Sequence, residues 1–156
     1  MTATQEDLHY LGGLIDGEAG VWIGVGKSKT CRLGYRVAPE FQMGMKEMES
    51  NEKIKDTLQT LCYEIEVNYT FRDVDDGYAW HFEIHSKRDV LAFLHVMKDY
   101  VRAKRDTFET ILSIDWDARA MTEERFIKIM ETRDELRSES NRKSKYDAEY
   151  FKEEFN

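Results

Sequence analysis

Two acids, Asp16 and Glu18, sit two residues apart at the end of the run Leu11-Gly12-Gly13-Leu14-Ile15-Asp16-Gly17-Glu18-Ala19. The leucines and isoleucine have helical spacing, yet the glycines among them cost about 1 kcal/mol each inside a helix. A carboxylate at a helix C-terminus also works against the helix dipole. Local stability explains neither feature, so close packing or chemistry must. Rival constellations are lacking. His9, His81, His85 and His95 stand in no HExxH or CxxC context, which assigns them structural or surface roles. Cys31 and Cys62 are isolated, as in a reduced intracellular protein, and form neither a disulfide framework nor a metal-ligand pair.

The net charge of −8 argues, taken alone, against a nucleic-acid partner, which selects basic surfaces. Its distribution changes the reading. Residues 21–46 hold Lys27, Lys29, Arg32, Arg36 and Lys46 against Glu40 alone, whereas residues 1–20 hold four acids and no base. One basic segment is therefore set in an acidic chain.

The length of 156 residues fits one domain, and 41% hydrophobic residues suffice for a core. No apolar run is long enough to span a membrane, and the acidic start lacks a signal peptide's basic region. The expected setting is intracellular, in a prokaryotic cytoplasm or inside an organelle, with no membrane partner.

The periodicity predicts the elements that carry these residues. Residues 5–18 read as a helix that Thr4 caps. Val21, Ile23 and Val25 then alternate in a strand, and residues 27–33 form a polar loop. A long strand follows, with Tyr35, Val37, Pro39, Phe41 and Met43 on one face; Pro39 suggests an edge position or a bulge. Residues 50–63 read as a helix. Next comes a hairpin with Val67, Tyr69 and Phe71 on one strand, an Asp76-Gly77 turn, and Trp80, Phe82 and Ile84 on the other. Residues 87–101, 104–115 and 122–137 are helical, and a short helix is expected around residues 146–155.

This order predicts an α+β fold: four antiparallel strands with one face under helices and the other open. The open face collects Arg36, Gln42, Asn68, Thr70 and Arg72, with Lys27 and Lys29 in its first loop. Such a face either lies in a DNA major groove, which admits a two-stranded ribbon, or is an ordinary solvated surface. His81 faces the same DNA or a strand neighbour.

Residues 11–19 resemble the signature of the LAGLIDADG homing endonucleases, and the αββαββα order is similar to their core. The likeness is to the single-motif, homodimeric subfamily and extends over residues 1–156 as one domain, with a core of about 5–115 and a C-terminal helical extension of about 116–156. "YVRAKRDTFETIL" and the charged C-terminal stretch are similar to that subfamily too. The resemblance implies a curved four-stranded sheet as the DNA-binding face and C-terminal helices.

It also implies an activity: an intron-encoded, site-specific endonuclease that hydrolyses double-stranded DNA within a long pseudo-palindromic target, as a homodimer. The alternative is a cleavage-deficient relative, an RNA maturase or a DNA-binding regulator. Glu18 takes the position of the metal-binding acid, with the Gly17 carbonyl as a second ligand for Mg²⁺, or for Mn²⁺. Lys104 takes that of a lysine near the scissile phosphate, where Arg102 and Arg105 assist or meet phosphates.

Leu11, Gly12, Gly13, Ile15 and Asp16 are implied at the dimer interface, with Asp16 expected to cap or brace the helix end rather than bind metal. Lys27, Lys29, Arg32, Arg36, Gln42, Lys46, Asn68, Thr70 and Arg72 are expected to contact DNA. Among these, arginine suits guanine and glutamine suits adenine. Two departures stand out. Met45 replaces a glutamine that would bind water, and Ala19 replaces the motif's last glycine.

Overall fold

The computed structural model describes residues 2–137 and 144–156. Among them the elements run α1 (Gln5–Glu18), β1 (Ala19–Lys27), β2 (Tyr35–Lys46), α2 (Glu49–Glu64), β3 (Thr70–Val74), β4 (Ala79–Ile84), α3 (Lys87–Met97), α4 (Arg105–Ser113), α5 (Glu123–Arg137) and α6 (Ala148–Glu154). The predicted αββαββα order and the helices after it are present. The four strands form one sheet in the order β1-β2-β4-β3. Two compact units divide the chain: Met1–Val21 with Pro39–Leu112, and Trp22–Ala38 with Ser113–Asn156.

In the first unit, Thr4 caps α1 as expected. Its hydroxyl accepts from the Asp7 amide at 3.1 Å, and the Asp7 carboxylate accepts from the Thr4 amide at 3.1 Å. This reciprocal box satisfies two helix-start donors, and such a cap is worth about 1 kcal/mol. The inward face of α1 carries Leu8, Leu11, Gly12 and Ile15. Phe41, Met43, Trp80, Phe82 and Ile84 bury the inner face of the sheet, and Leu58, Phe93, Leu94, Met97 and Phe108 complete this core. Phe93 packs on Phe41 and Phe82 at ring-centre distances of 4.8 and 5.9 Å. Each such side chain contributes about 1.5–3 kcal/mol by leaving water.

Register decides which residues face outward. Phe41 pairs with Ile84, Gln42 with Glu83, Met43 with Phe82, Gly44 with His81, and Met45 with Trp80. On the other side of β4, Thr70 pairs with Glu83 and Arg72 with His81. Gln42, Gly44, Thr70, Arg72, His81 and Glu83 thus share the open face. Met45 falls on the inner face beside the fully buried Trp80.

Two strand expectations need correction. Pro39 does not mark an edge strand, because β2 lies between β1 and β4. The pairing to β4 begins only at Phe41, so no β4 partner is asked of the missing Pro39 N–H. Asn68 is not on the open sheet face, because β3 starts at Thr70; the Asn68 amide donates to Asp89 at 3.4 Å instead. The turn between β3 and β4 matches its Asp-Gly signal. Asp75, Asp76 and Gly77 all have positive φ (51°, 55° and 87°), which aspartate tolerates and glycine favours.

The second unit has its own aromatic core. Tyr35, Phe126, Met130, Ala148 and Phe151 pack together, with the Tyr35 and Phe151 rings 4.8 Å apart, edge to face. Arg133 is buried beside this cluster and satisfies its guanidinium on backbone. It donates to the carbonyls of Ile23 and Tyr146, each at 2.8 Å, and to the Ser144 hydroxyl at 3.3 Å.

Candidate functional site

The helix α1 ends where the chain turns into β1. Ala19 is extended there (φ −90°), and its N–H closes the helix on the Ile15 carbonyl. Any residue adopts this conformation, so the motif's final glycine is not needed for the turn. Gly17 and Glu18 are exposed at this end. Among the described residues the Glu18 carboxylate has no hydrogen-bond or ion-pair partner.

Asp16, one turn position earlier, is fully engaged. Its carboxylate accepts from the backbone N–H of Arg102 at 2.7 Å and of Lys104 at 3.0 Å. Its carbonyl accepts from the Lys104 ammonium at 2.6 Å. Partial burial opposes the charge on Asp16, but the amides of Arg102, Lys104 and Ala103, helped by the Lys104 ammonium, outweigh it. They hold the carboxyl below its ordinary value of 3.8. A lysine on the last carbonyls of a helix also suits the dipole. Asp16 is therefore a brace that fixes Lys104 at the helix end, two residues before Glu18.

The residues implied at the dimer interface divide. Leu11 and Ile15 are buried inside this chain, at 1% and 0% exposure. At Gly12 a Cβ would stand 2.1 Å from the Tyr100 carbonyl oxygen, so this glycine serves a close approach within the chain. Asp16 is taken up by residues 102–104. Leu11, Gly12, Ile15 and Asp16 thus pack or hydrogen-bond within the chain itself. Gly13 stays exposed with open space around its Cα, as does Gly17.

On the open sheet face the polar residues form a network. Glu83 is its hub: one carboxylate oxygen accepts from Arg72 Nη2 at 2.7 Å, from Arg72 Nε at 3.2 Å and from Gln42 Nε2 at 3.2 Å. Gln42 Nε2 also meets His81 Nδ1 in a short hydrogen bond. His85 Nε2 lies 3.4 Å from the second Glu83 oxygen and 3.1 Å from the Thr70 hydroxyl. The His81 ring lies across Gly44, where a Cβ would come within 2.8 Å of it.

Glu83 and His85 were not among the expected contacts, whereas His81, expected to face DNA or a strand neighbour, meets Gln42 and Arg72 of the neighbouring strands. The signal for Glu83 was present, because the apolar alternation of Trp80, Phe82 and Ile84 forces the residues between them to the other face.

The remaining basic residues divide. Lys27, Lys29, Arg36 and Lys46 are exposed. Arg32 is spent on the Met121 carbonyl, at 2.8 Å, and Arg105 on those of Lys98 and Asp99, at 3.1 and 3.4 Å. Burial, aided by the Asp89 charge, pushes the Cys62 thiol up to about 12, so Cys62 is a packing residue.

Among the described residues no three of the His, Cys, Asp and Glu side chains gather as a metal cage. One chain offers the Glu18 carboxylate and the Gly17 carbonyl, hard oxygen donors that suit Mg²⁺ but do not complete its shell. Among the same residues no helix is long and apolar enough to cross a membrane.

Comparisons with known proteins agree with this fold. The family model for LAGLIDADG endonucleases matches residues 11–113. The homing endonuclease I-CvuI, solved with the I-CreI target, superposes with a TM-score of 0.76 at 16% identity over 97% of this chain and 93% of that one. The archaeal intron-encoded homing endonuclease I-Vdi141I, complexed with DNA, gives 0.72 at 14% identity over 96% and 94%. The homing endonuclease I-TnaI gives 0.67 at 20% identity over 99% and 97%. At these identities the structural likeness is one of fold. No curated protein sequence matches the chain.

Proposed function

The chain belongs to the LAGLIDADG endonuclease family, and on that premise we propose that it is an intron-encoded, site-specific double-strand DNA endonuclease. It acts as a homodimer on a long, pseudo-palindromic target, since a two-fold protein reads two related half-sites. The observation that carries this reading is the end of α1, where Glu18 is exposed and uncommitted while Asp16 pins Lys104 to the same helix end.

The single carboxylate explains the dimer. Two copies of Glu18, together with DNA phosphate oxygens, make the oxygen-rich site that one chain lacks. Glu18 and the Gly17 carbonyl would hold Mg²⁺, or Mn²⁺. A divalent cation bound there supplies Lewis acidity at the phosphate and lowers the pKa of a water molecule. Hydrolysis adds a water oxygen to phosphorus and breaks the bond to the 3′ oxygen, which leaves as a hydroxyl carrying the proton. Lys104 places its ammonium at the charge that develops on the phosphate. Lys27, Lys29, Arg36 and Lys46 meet phosphates, while Gln42, Thr70 and Arg72 face base edges.

The test is cleavage of a randomised duplex library with Mg²⁺ by wild type and Glu18→Gln in parallel. The expected result is enrichment of one long, roughly palindromic site among wild-type products alone. Binding enrichment without cleavage by either protein would refute the nuclease and establish the maturase or regulator. Equal cleavage by both proteins would refute the role of Glu18.

A further inference from the structure

We propose that Glu83 is a positioning residue that sets Gln42 and Arg72 as a fixed reader of two neighbouring bases, with Gln42 presenting only its carbonyl oxygen to the DNA. The inference rests on the nuclease reading above and specifies how its open sheet face selects sequence.

An ionised carboxylate only accepts, so the Gln42 atom 3.2 Å from Glu83 is the amide nitrogen. Its two N–H groups are both committed, one to Glu83 and one to His81 Nδ1. His81 Nδ1 accepts in that bond, which places the ring proton on Nε2. Gln42 is left with its carbonyl oxygen as the free group. The familiar pairing of glutamine with adenine needs the amide nitrogen to donate to N7, and here that nitrogen is occupied. A lone acceptor recognises an exocyclic amino group, which adenine and cytosine carry in the major groove and guanine and thymine do not.

Arg72 is set by the same carboxylate. Its Nε and Nη2 lie on one Glu83 oxygen, at 3.2 and 2.7 Å, and Nη2 also lies 3.4 Å from His81 Nδ1, so both of these nitrogens are engaged within the sheet. The Nη1 end remains, and more than half of the side chain is exposed. That end suits the O6 and N7 acceptors of guanine.

A negative charge on a DNA-facing surface repels phosphate, so Glu83 weakens binding to every sequence. Its return is orientation, because both readers arrive already aimed. Gly44 belongs to the device. The His81 ring occupies the space that a Cβ at residue 44 would need.

The experiment is selection from a randomised duplex library by the full-length protein, with base preference resolved at each position, for wild type, Gln42→Ala, Arg72→Ala and Glu83→Ala. At the position flattened by Gln42→Ala, wild type should prefer adenine or cytosine by about tenfold. Glu83→Ala should flatten that position and the one flattened by Arg72→Ala, while its affinity for unrelated DNA stays equal or rises.

Should Glu83→Ala fail to fold, Gly44→Ala provides the second arm. It displaces His81, frees one Gln42 N–H, and should shift the Gln42 position toward adenine alone. A wild-type preference for guanine or thymine there would overturn the inference. So would a Glu83→Ala profile that matches wild type with affinity lowered equally for all sequences, the mark of a merely structural residue. Either result leaves the nuclease reading standing. Only a wild type that enriches no sequence removes both.

Discussion

Gly12 and Gly13 are adjacent in the sequence and opposite in circumstance, so one methyl group at each separates packing within the chain from packing between chains. At Gly12 an added Cβ would sit 2.1 Å from the Tyr100 carbonyl oxygen and 2.6 Å from its carbon, both backbone atoms that cannot rotate away. Overpacking of this kind costs up to about 3 kcal/mol, and alanine returns about 1 kcal/mol of helix propensity. Gly12→Ala should therefore lose about 2 kcal/mol. At Gly13 nothing lies within 4 Å, so alanine should add about 1 kcal/mol to the isolated chain.

For a domain of this size each kcal/mol moves the melting temperature by about 2–4 °C, which places the two variants about 6–12 °C apart. The assay is thermal melting followed by the fluorescence of the three tryptophans, in protein dilute enough for the monomer to predominate. Sedimentation of the same variants reads self-association. Gly13→Ala should weaken it about tenfold, because small residues let two helices approach closely. A Gly12→Ala protein that melts at or above wild type would refute the close approach to Tyr100. Undiminished self-association of Gly13→Ala would refute the placing of Gly13 between copies.

Further outcomes follow from the helix end and the basic residues. Asp16→Asn should cost about 1 kcal/mol at pH 7, a charged hydrogen-bond contribution discounted for partial exposure. Because the folded carboxyl titrates below its ordinary value of 3.8, this contribution is present above that value and disappears as the pH falls through the lower folded one. Melting curves of both proteins from pH 7 to strong acid should therefore converge, and a gap of constant size would sink the argument. Lys104→Met should slow cleavage of the selected target by about a hundredfold with DNA binding retained, as measured in single-turnover reactions; a wild-type rate would remove Lys104 from the chemistry. Lys29→Ala should weaken binding to all duplexes alike and lower the slope of log affinity against log salt by about one. An unchanged slope would mean that Lys29 meets no phosphate.

Much of the molecule was legible before folding was considered. The order of helices and strands, the Thr4 cap and the Asp-Gly turn follow from short-range rules of spacing and capping, which a linear chain states directly. A local pattern, a glycine-containing helix that ends in acids, drew attention to Asp16 and Glu18, and the family resemblance singled out Glu18 between them. What stayed hidden depended on neighbours remote in sequence. Gly12 served the chain itself because Tyr100, 88 residues on, presses its carbonyl there. Asp16 was expected to brace the helix end, but its partners, the amides of residues 102 and 104, were not visible in the sequence. Arg32 and Arg105, basic residues like any others in the sequence, were consumed by backbone carbonyls.

The register of β2 and β3 against β4 decided most. It carried Met45 inward to Trp80 and gathered Gln42, Arg72 and His81 around Glu83. Alternation along a strand says which residues share a face. Which of them touch depends on how strands slide past one another, and that is set by the whole core closing at once.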